Sequence, residues 1–187
     1  MNAARLIARL TIGGLFVGHG TQKLFGWFGG PGPEGTAKMM DNLELRPPRR
    51  NALAAGVSET AGGALLALGA LTPLAAAMLT GTMFTAISKV HLKNGPWITQ
   101  KGYEYNLVLI ASLASLVDGG PGPLSVDRAL GIDRTGSRWA LASVAAGAAG
   151  SALAIEAGKR QAQEPAPRPR AQVQNGRPQP VPAGANA

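Results

Sequence analysis

The chain has 187 residues, no cysteine, 26 glycines and 14 prolines, and its 18 basic and 10 acidic side chains give a net charge of +8. The length suits one domain, or a domain with a tail, and the missing cysteines exclude disulfide frameworks, zinc ribbons, iron–sulfur clusters and thiol nucleophiles. Charge is segregated along the chain, because residues 105–117 carry no ionised side chain whereas residues 159–187 carry five basic residues and one acid.

Five apolar stretches approach the length of about 20 residues that a membrane-spanning helix needs. They cover residues 5–25, 52–71, 73–90, 103–117 and 139–155. A signal peptide is the alternative for the first stretch, because Arg5 and Arg9 precede a short apolar run. It is disfavoured because no small-x-small cleavage site follows and the apolar pattern continues to Phe28.

The segments between these stretches are rich in glycine and proline, which interrupt helices. Residues 27–50 therefore predict a loop with a short helix near 36–43, and residues 91–102 predict a second loop. The connection Leu71-Thr72-Pro73 is short, which predicts an antiparallel hairpin of the second and third stretches. Ser125 is predicted to cap a short interfacial helix.

The fifth stretch is dominated by alanine and glycine. Small side chains recur every four residues, which allows close approach of helices inside a membrane. The two rows are Ala142, Ala146, Gly150 and Ala154, and Ser143, Gly147 and Ser151. The alternative is a weakly hydrophobic surface helix or linker. Residues 159–187, with six prolines, have a composition typical of disorder.

The sequence predicts an all-α fold: a membrane four-helix bundle in residues 1–131, an additional Ala/Gly-rich transmembrane helix in 132–158 and a disordered tail in 159–187. A soluble alanine-rich bundle would need a charged stripe on each helix, which the best spans lack. We expect a multi-pass protein of the plasma membrane. Thirteen basic residues lie on the side of the predicted membrane bundle that holds the long loops and the tail, and five lie on the other side. Because Lys and Arg are enriched in cytoplasmic loops, this count predicts that the long loops are cytoplasmic.

Polar residues gather toward one end of the predicted bundle. They are His19, Gln22, Lys23, Glu59, His91 and Glu104. His19 and Glu59 both lie about 10 Å inside the ends of their spans, given the rise per helical residue, so a pair between them is expected. Intramembrane ionisable residues are functional candidates, although such a pair could also serve only to fix helix register.

Several kinds of site are disfavoured by spacing and residue type. The sequence argues against a bis-histidine haem, because His19 is predicted to lie deep in its span whereas His91 lies at the edge. A metal site from His19, Glu59 and Glu104 has little support from spacing, and no metal is predicted. The Gly29-Gly30-Pro31-Gly32 run lacks the Lys-Ser/Thr ending of a phosphate loop. Nucleic-acid binding is a poor explanation of the positive charge in a membrane chain.

Four separated motifs resemble the DoxX family over about residues 5–131. They are the stretch from Gly14 to Gly30, Glu59 with Gly62-Gly63, the motif Gly102 to Tyr105, and the motif Gly120 to Arg128. The resemblance implies a small integral membrane protein with a four-helix core. Some members of the family are membrane subunits of quinone-dependent oxidoreductases, and no settled catalytic role transfers to any residue.

Two hypotheses follow from these observations. In the first, the protein is a membrane component of a quinone-linked redox or oxidative-stress system, with a quinone as cofactor and a soluble oxidoreductase as partner. His19 and Glu59 would then bind the quinone carbonyl, and Trp27, Phe28 and Trp97 would line the entrance. In the second, the chain is a non-enzymatic scaffold or small-molecule carrier that docks a soluble partner. In both, the lipid bilayer is a partner, and small-residue faces favour a homo-oligomer.

Overall fold

The computed structural model describes residues 3–163. Within this range the chain is all-helical and contains no strand. The α-helices are Ala3–Phe25 (α1), Gly32–Asn42 (α2), Pro48–Leu68 (α3), Thr72–Ala86 (α4), Glu104–Gly119 (α5), Val126–Ala129 (α6) and Ser137–Gln163 (α7). A π-helical turn, Ile87–His91, continues α4, so helical backbone covers residues 72–91.

Each predicted apolar stretch corresponds to one of the long helices, but several boundaries differ. Helix α3 ends at Leu68 and not at Leu71, and α5 begins at Glu104 and not at Tyr103. Helix α3 begins at Pro48, four residues before the predicted span, because a proline fits the first turn of a helix without loss of a hydrogen bond. Helix α7 continues through Lys159 to Gln163, which corrects the predicted start of the tail. The disorder predicted for residues 164–187 lies outside the described residues.

Helices α1 and α3 are antiparallel and pack with their backbones in close contact. A Cβ atom on Gly13 would lie 2.5 Å from the carbonyl oxygen of Gly63, and one on Gly20 would collide with Thr60 and lie 2.7 Å from the carbonyl oxygen of Gly56. The two glycines of each helix are seven residues apart, so they lie on one face over two turns. This glycine contact fixes the register between α1 and α3.

A second close contact joins α7 to α4, and these two helices are parallel. A Cβ atom on Gly147 would lie 2.8 Å from the carbonyl oxygen of Ala77, and the hydroxyls of Thr85 and Ser151 are 2.9 Å apart. Of the two rows of small residues predicted to allow close helix packing, the buried one therefore contains Ser143, Gly147 and Ser151. In the other row Ala142, Ala146 and Gly150 are exposed, and only Ala154 is half-buried.

The apolar core lies between α3, α4 and α5. Leu66, Leu79, Leu113 and Val117 have no exposed surface, and Phe16 of α1 and Ala140 of α7 close the two sides. Burial of a Leu or Val side chain contributes about 1.5–3 kcal/mol. This core therefore holds the α3–α4 hairpin against α5.

Asp127 closes the hairpin at the start of α4. Its carboxylate accepts hydrogen bonds from the backbone N–H of Leu71 (2.6 Å) and from the backbone N–H and hydroxyl of Thr72 (2.9 and 2.7 Å). A negative charge at a helix N-terminus is stabilised by the unpaired N–H groups there. Ser125 caps the short helix α6 that carries Asp127, as the sequence predicted, by accepting a hydrogen bond from the Arg128 N–H.

One of the described helices is long and apolar enough to cross a membrane by length and composition. It is α7, over Ser137–Gln161, and 22% of its most apolar stretch is buried inside the protein. The α-helical parts of α4 and α5 have 15 and 16 residues, fewer than a span needs. The multi-pass arrangement of four further spans stays a prediction.

The glycine contact gives a test on two neighbouring residues of α1. Gly13→Ala places a methyl group against the backbone of α3 and is expected to lower the free energy of unfolding by about 1–3 kcal/mol. Gly14→Ala is its matched control, because no atom lies within 4 Å of a Cβ there. This control should be neutral or stabilising by up to about 1 kcal/mol, since alanine is the better helix former. Denaturant unfolding in detergent micelles measures both; equal effects would contradict the glycine contact.

Candidate functional site

Four long helices bring the predicted polar residues to one end of the bundle, which we call the loop end. It is formed by the C-termini of α1 and α4 and the N-termini of α3 and α5, and α7 also ends there, with Gly158 packed against the backbone of Glu44 and Arg46. The opposite end, with the turn between α3 and α4, is the hairpin end. The prediction that these four helix ends share one side agrees with the antiparallel packing of α1 and α3.

The centre of the loop-end site is an ion pair between α1 and α3. The Lys23 Nζ lies 2.5 Å from the Glu59 Oε2, and the two side chains are only 19% and 8% exposed. Glu59 follows the first residue of α3 by eleven positions, about 16 Å along the helix. The pair is therefore almost removed from solvent, and each charge depends on the other because an unpaired buried charge is strongly destabilising.

The expected pair between His19 and Glu59 is not present. His19 is exposed on α1, and its Nδ1 lies 3.1 Å from the Gln22 Oε1. The glycine contact turns another face of α1 toward α3, so His19 points away from Glu59. Lys23, one turn further along, folds back over its own helix, with Nζ 3.4 Å from the carbonyl oxygen of His19, and reaches Glu59.

His91 and Glu104 lie at the same end but are not joined to this pair. Among the described residues, no hydrogen bond or ion pair connects either of them to the other four predicted site residues. The His91 Nδ1 is 2.7 Å from the carbonyl oxygen of Lys101, and a carbonyl can only accept. Nδ1 therefore carries a proton, which in the neutral ring leaves Nε2 as the acceptor.

A second charged contact at the loop end involves Lys89 of the π-helical turn. Its side chain is 16% exposed, and its Nζ lies 3.7 Å from an oxygen of Glu44 in the loop before α3. This contact joins the π-helical turn after α4 to the α2–α3 loop. Sequence reasoning did not identify Glu44, because nothing in its spacing indicates which helix end it meets.

Aromatic side chains project from the loop end. Phe25, Trp27 and Phe28 are 59%, 56% and 78% exposed. The ring centroid of Trp27 lies 5.2 Å from that of Phe25 and 6.4 Å from that of Phe28. Trp97 in the other loop is 62% exposed. Trp rings combine an apolar body with a polar N–H and are favoured at membrane–water interfaces.

Two buried charged residues at the hairpin end were not predicted as site residues. Arg9 is 1% exposed and Asp127 is 2% exposed. An arginine inside an otherwise apolar helix needs a partner, and this is the signal by which Arg9 could have been found. Across residues 3–163, no three His, Asp or Glu side chains lie close enough together to hold a metal ion.

The Lys23–Glu59 pair can be tested by a double-mutant cycle. Lys23→Met and Glu59→Met each leave one buried charge without a partner and should each lower the free energy of unfolding by about 3–5 kcal/mol. The double variant should lose far less free energy of unfolding than the two single variants lose together. The control is Arg49→Met, which breaks the exposed Glu34–Arg49 pair, whose side chains are both 80% exposed, and should cost less than about 1 kcal/mol. Additive losses at Lys23 and Glu59 would show that the pair is not coupled.

The comparisons with known proteins agree with the motifs of the first half of the chain. The model of the DoxX family matches residues 4–92, which include α1 to α4 and the Lys23–Glu59 pair. The motifs at Gly102 and Gly120 lie beyond the matched range. No curated protein and no solved structure matches the chain. The match over residues 4–92 supports assignment of this part of the chain to the DoxX family of membrane proteins.

Proposed function

We propose that the protein is a multi-pass component of the plasma membrane that binds a quinone and exchanges its protons at the Lys23–Glu59 pair, as part of a quinone-linked redox or oxidative-stress system. The observation that carries this proposal is the burial of a lysine and a carboxylate, 2.5 Å apart, between two helices of a membrane domain. Replacement of a buried ion pair by apolar side chains is often neutral or stabilising. Stability alone therefore gives little reason to keep it.

The two groups have complementary chemistry for a quinone headgroup. The Lys23 ammonium is a donor that can hydrogen-bond a quinone carbonyl, and the Glu59 carboxylate is an acceptor for a quinol proton. Oxidation of a quinol releases two protons and two electrons. Glu59 would accept these protons one at a time and release each to water at the loop end, and a partner oxidoreductase would take up the two electrons.

The partner follows from the composition of the chain. With no cysteine, the protein cannot store electrons in a thiol–disulfide pair of its own. We therefore place a soluble oxidoreductase at the loop end, where Lys93, Lys101 and Arg160 are exposed. The aromatic turn of Trp27 and Phe28 and the ring of Trp97 form the entrance through which a quinone reaches the pair from the bilayer.

Quinone binding gives the direct test. The purified protein should contain co-purified quinone and should bind a short-chain quinol analogue in a fluorescence titration. Glu59→Gln removes the proton acceptor but keeps the shape of the side chain, and should weaken binding at least about tenfold, a loss of about 1.4 kcal/mol.

The matched control is Glu34→Gln, because Glu34 is an exposed glutamate that pairs with Arg49 near the start of α3. This variant should bind the analogue as the wild type does. If Glu59→Gln binds the analogue as tightly as the wild type does, the Lys23–Glu59 pair is not part of the quinone site. Absence of binding by the wild type would favour the second function, a non-enzymatic scaffold or carrier.

The multi-pass topology gives a separate test, because the three tryptophans lie at opposite ends of the bundle. Trp27 and Trp97 are at the loop end, and Trp139 is at the hairpin end beside Arg134 and Arg138. Helix α1 alone is about 35 Å long, close to the thickness of the hydrocarbon core. Variants that keep a single tryptophan are placed in vesicles that contain brominated lipids. Lipids brominated near the headgroup should quench the fluorescence of Trp27 and Trp139 more strongly than lipids brominated near the end of the acyl chain. Quenching of Trp139 alone would indicate that α7 is the membrane anchor and that the loop end lies in water.

A further inference from the structure

A small cavity lies at the hairpin end, far from the Lys23–Glu59 pair. Its volume is about 40 Å³, which leaves room for about one or two water-sized groups. Three segments line it: the first turn of α1, Arg9, and the loop that follows α5. The lining residues are Ala3, Leu6, Arg9, Pro121, Gly122, Pro123 and Leu124.

Arg9 is the charged group in this lining, and most of its hydrogen-bonding capacity is unused. Its Nη2 donates to the carbonyl oxygen of Leu124 at 2.6 Å, whereas buried Nε and Nη1 have no partner within the described part of the chain. The guanidinium is 1% exposed, so bulk water does not supply the missing acceptors. Each unsatisfied buried donor costs about 1–3 kcal/mol, and more when it is charged.

Nearby protein groups do not supply these acceptors. Asp127 acts on Arg9 by its charge, but its carboxylate oxygens accept hydrogen bonds from Leu71 and Thr72. No ion pair to Arg9 forms among residues 3–163. The guanidinium packs directly against Gly69, where a Cβ atom would collide with it.

The walls of the cavity indicate which acceptor fits. Apart from Arg9, the side chains are those of Leu, Pro and Ala, so a water molecule would find few of the two to four polar partners that hold buried waters. An anionic oxygen gains charge-assisted hydrogen bonds from the guanidinium. Arg5, one turn before Arg9, lies against Gly119 and Gly122 and adds a second positive charge nearby.

We propose that this cavity is a site for an anionic membrane amphiphile, one oxygen of which enters the cavity and accepts hydrogen bonds from Arg9. The apolar part of the ligand lies outside, along Leu6, Pro123 and Leu124, where Ala3, Pro123 and Leu124 are exposed. A phospholipid phosphate and a fatty-acid carboxylate share this chemistry. The site is separate from the proposed quinone site and does not depend on it.

The test is the thermal stability of the purified full chain in detergent micelles with added amphiphile. Dioleoylphosphatidylglycerol or oleate should raise the apparent Tm of the wild type, because a ligand that binds only the folded state stabilises it. Dioleoylglycerol has the same chains without an anionic oxygen and should have no such effect. The amphiphile that gives the larger shift at equal concentration identifies the source of the oxygen.

Two variants and a control connect the shift to the cavity. Arg9→Gln should abolish the shift, whereas Arg138→Gln should keep it, because Arg138 is an exposed arginine that lies over Trp139 near the same end. If Arg9→Gln does not fold, Ala3→Trp serves instead: it keeps Arg9 and blocks the cavity at an exposed position, and should also abolish the shift. No shift in the wild type, or a full shift in either cavity variant, would overturn the proposal and leave water as the partner of Arg9.

Discussion

The close approach of α1 and α3 is the constraint on which the described structure depends. Gly13 and Gly20 meet Gly63 and Gly56 at distances that exclude a side chain, so the two helices can pack in one register only. Once this register is fixed, the distance of any other residue of α1 or α3 from these glycines along the sequence determines which part of the partner helix it faces. At one end Lys23 reaches Glu59, and at the other Arg9 reaches the loop after α5.

The same contact explains why a lysine rather than a histidine meets the buried carboxylate. The face of α1 that holds Gly13, Phe16 and Gly20 is buried, and His19 lies outside this face. Lys23 lies at the edge of this buried face of α1, and its side chain is long enough to reach α3. Flexible stems of this kind place a charge at a distance from their own backbone, whereas the short imidazole side chain cannot leave the face on which it starts.

Much of the fold could be predicted from the sequence, because apolar stretches between glycine and proline runs give the helices and their order. The gathering of polar residues at the loop end also followed from the short hairpin at Leu71. Side-chain pairing could not be predicted in this way, since it depends on the rotation of each helix about its axis. That rotation is set by contacts between distant residues, such as Gly13 with Gly63 and Asp127 with Thr72.

Helix α7 lies outside the matched family range, yet it is packed into the bundle through Gly147 and runs parallel to α4. As the fifth long helix, it puts Ala3 and Gln163 at opposite ends of the structure. In a bilayer crossed by all five long helices, Ala3 and Gln163 would then lie on different sides of the membrane.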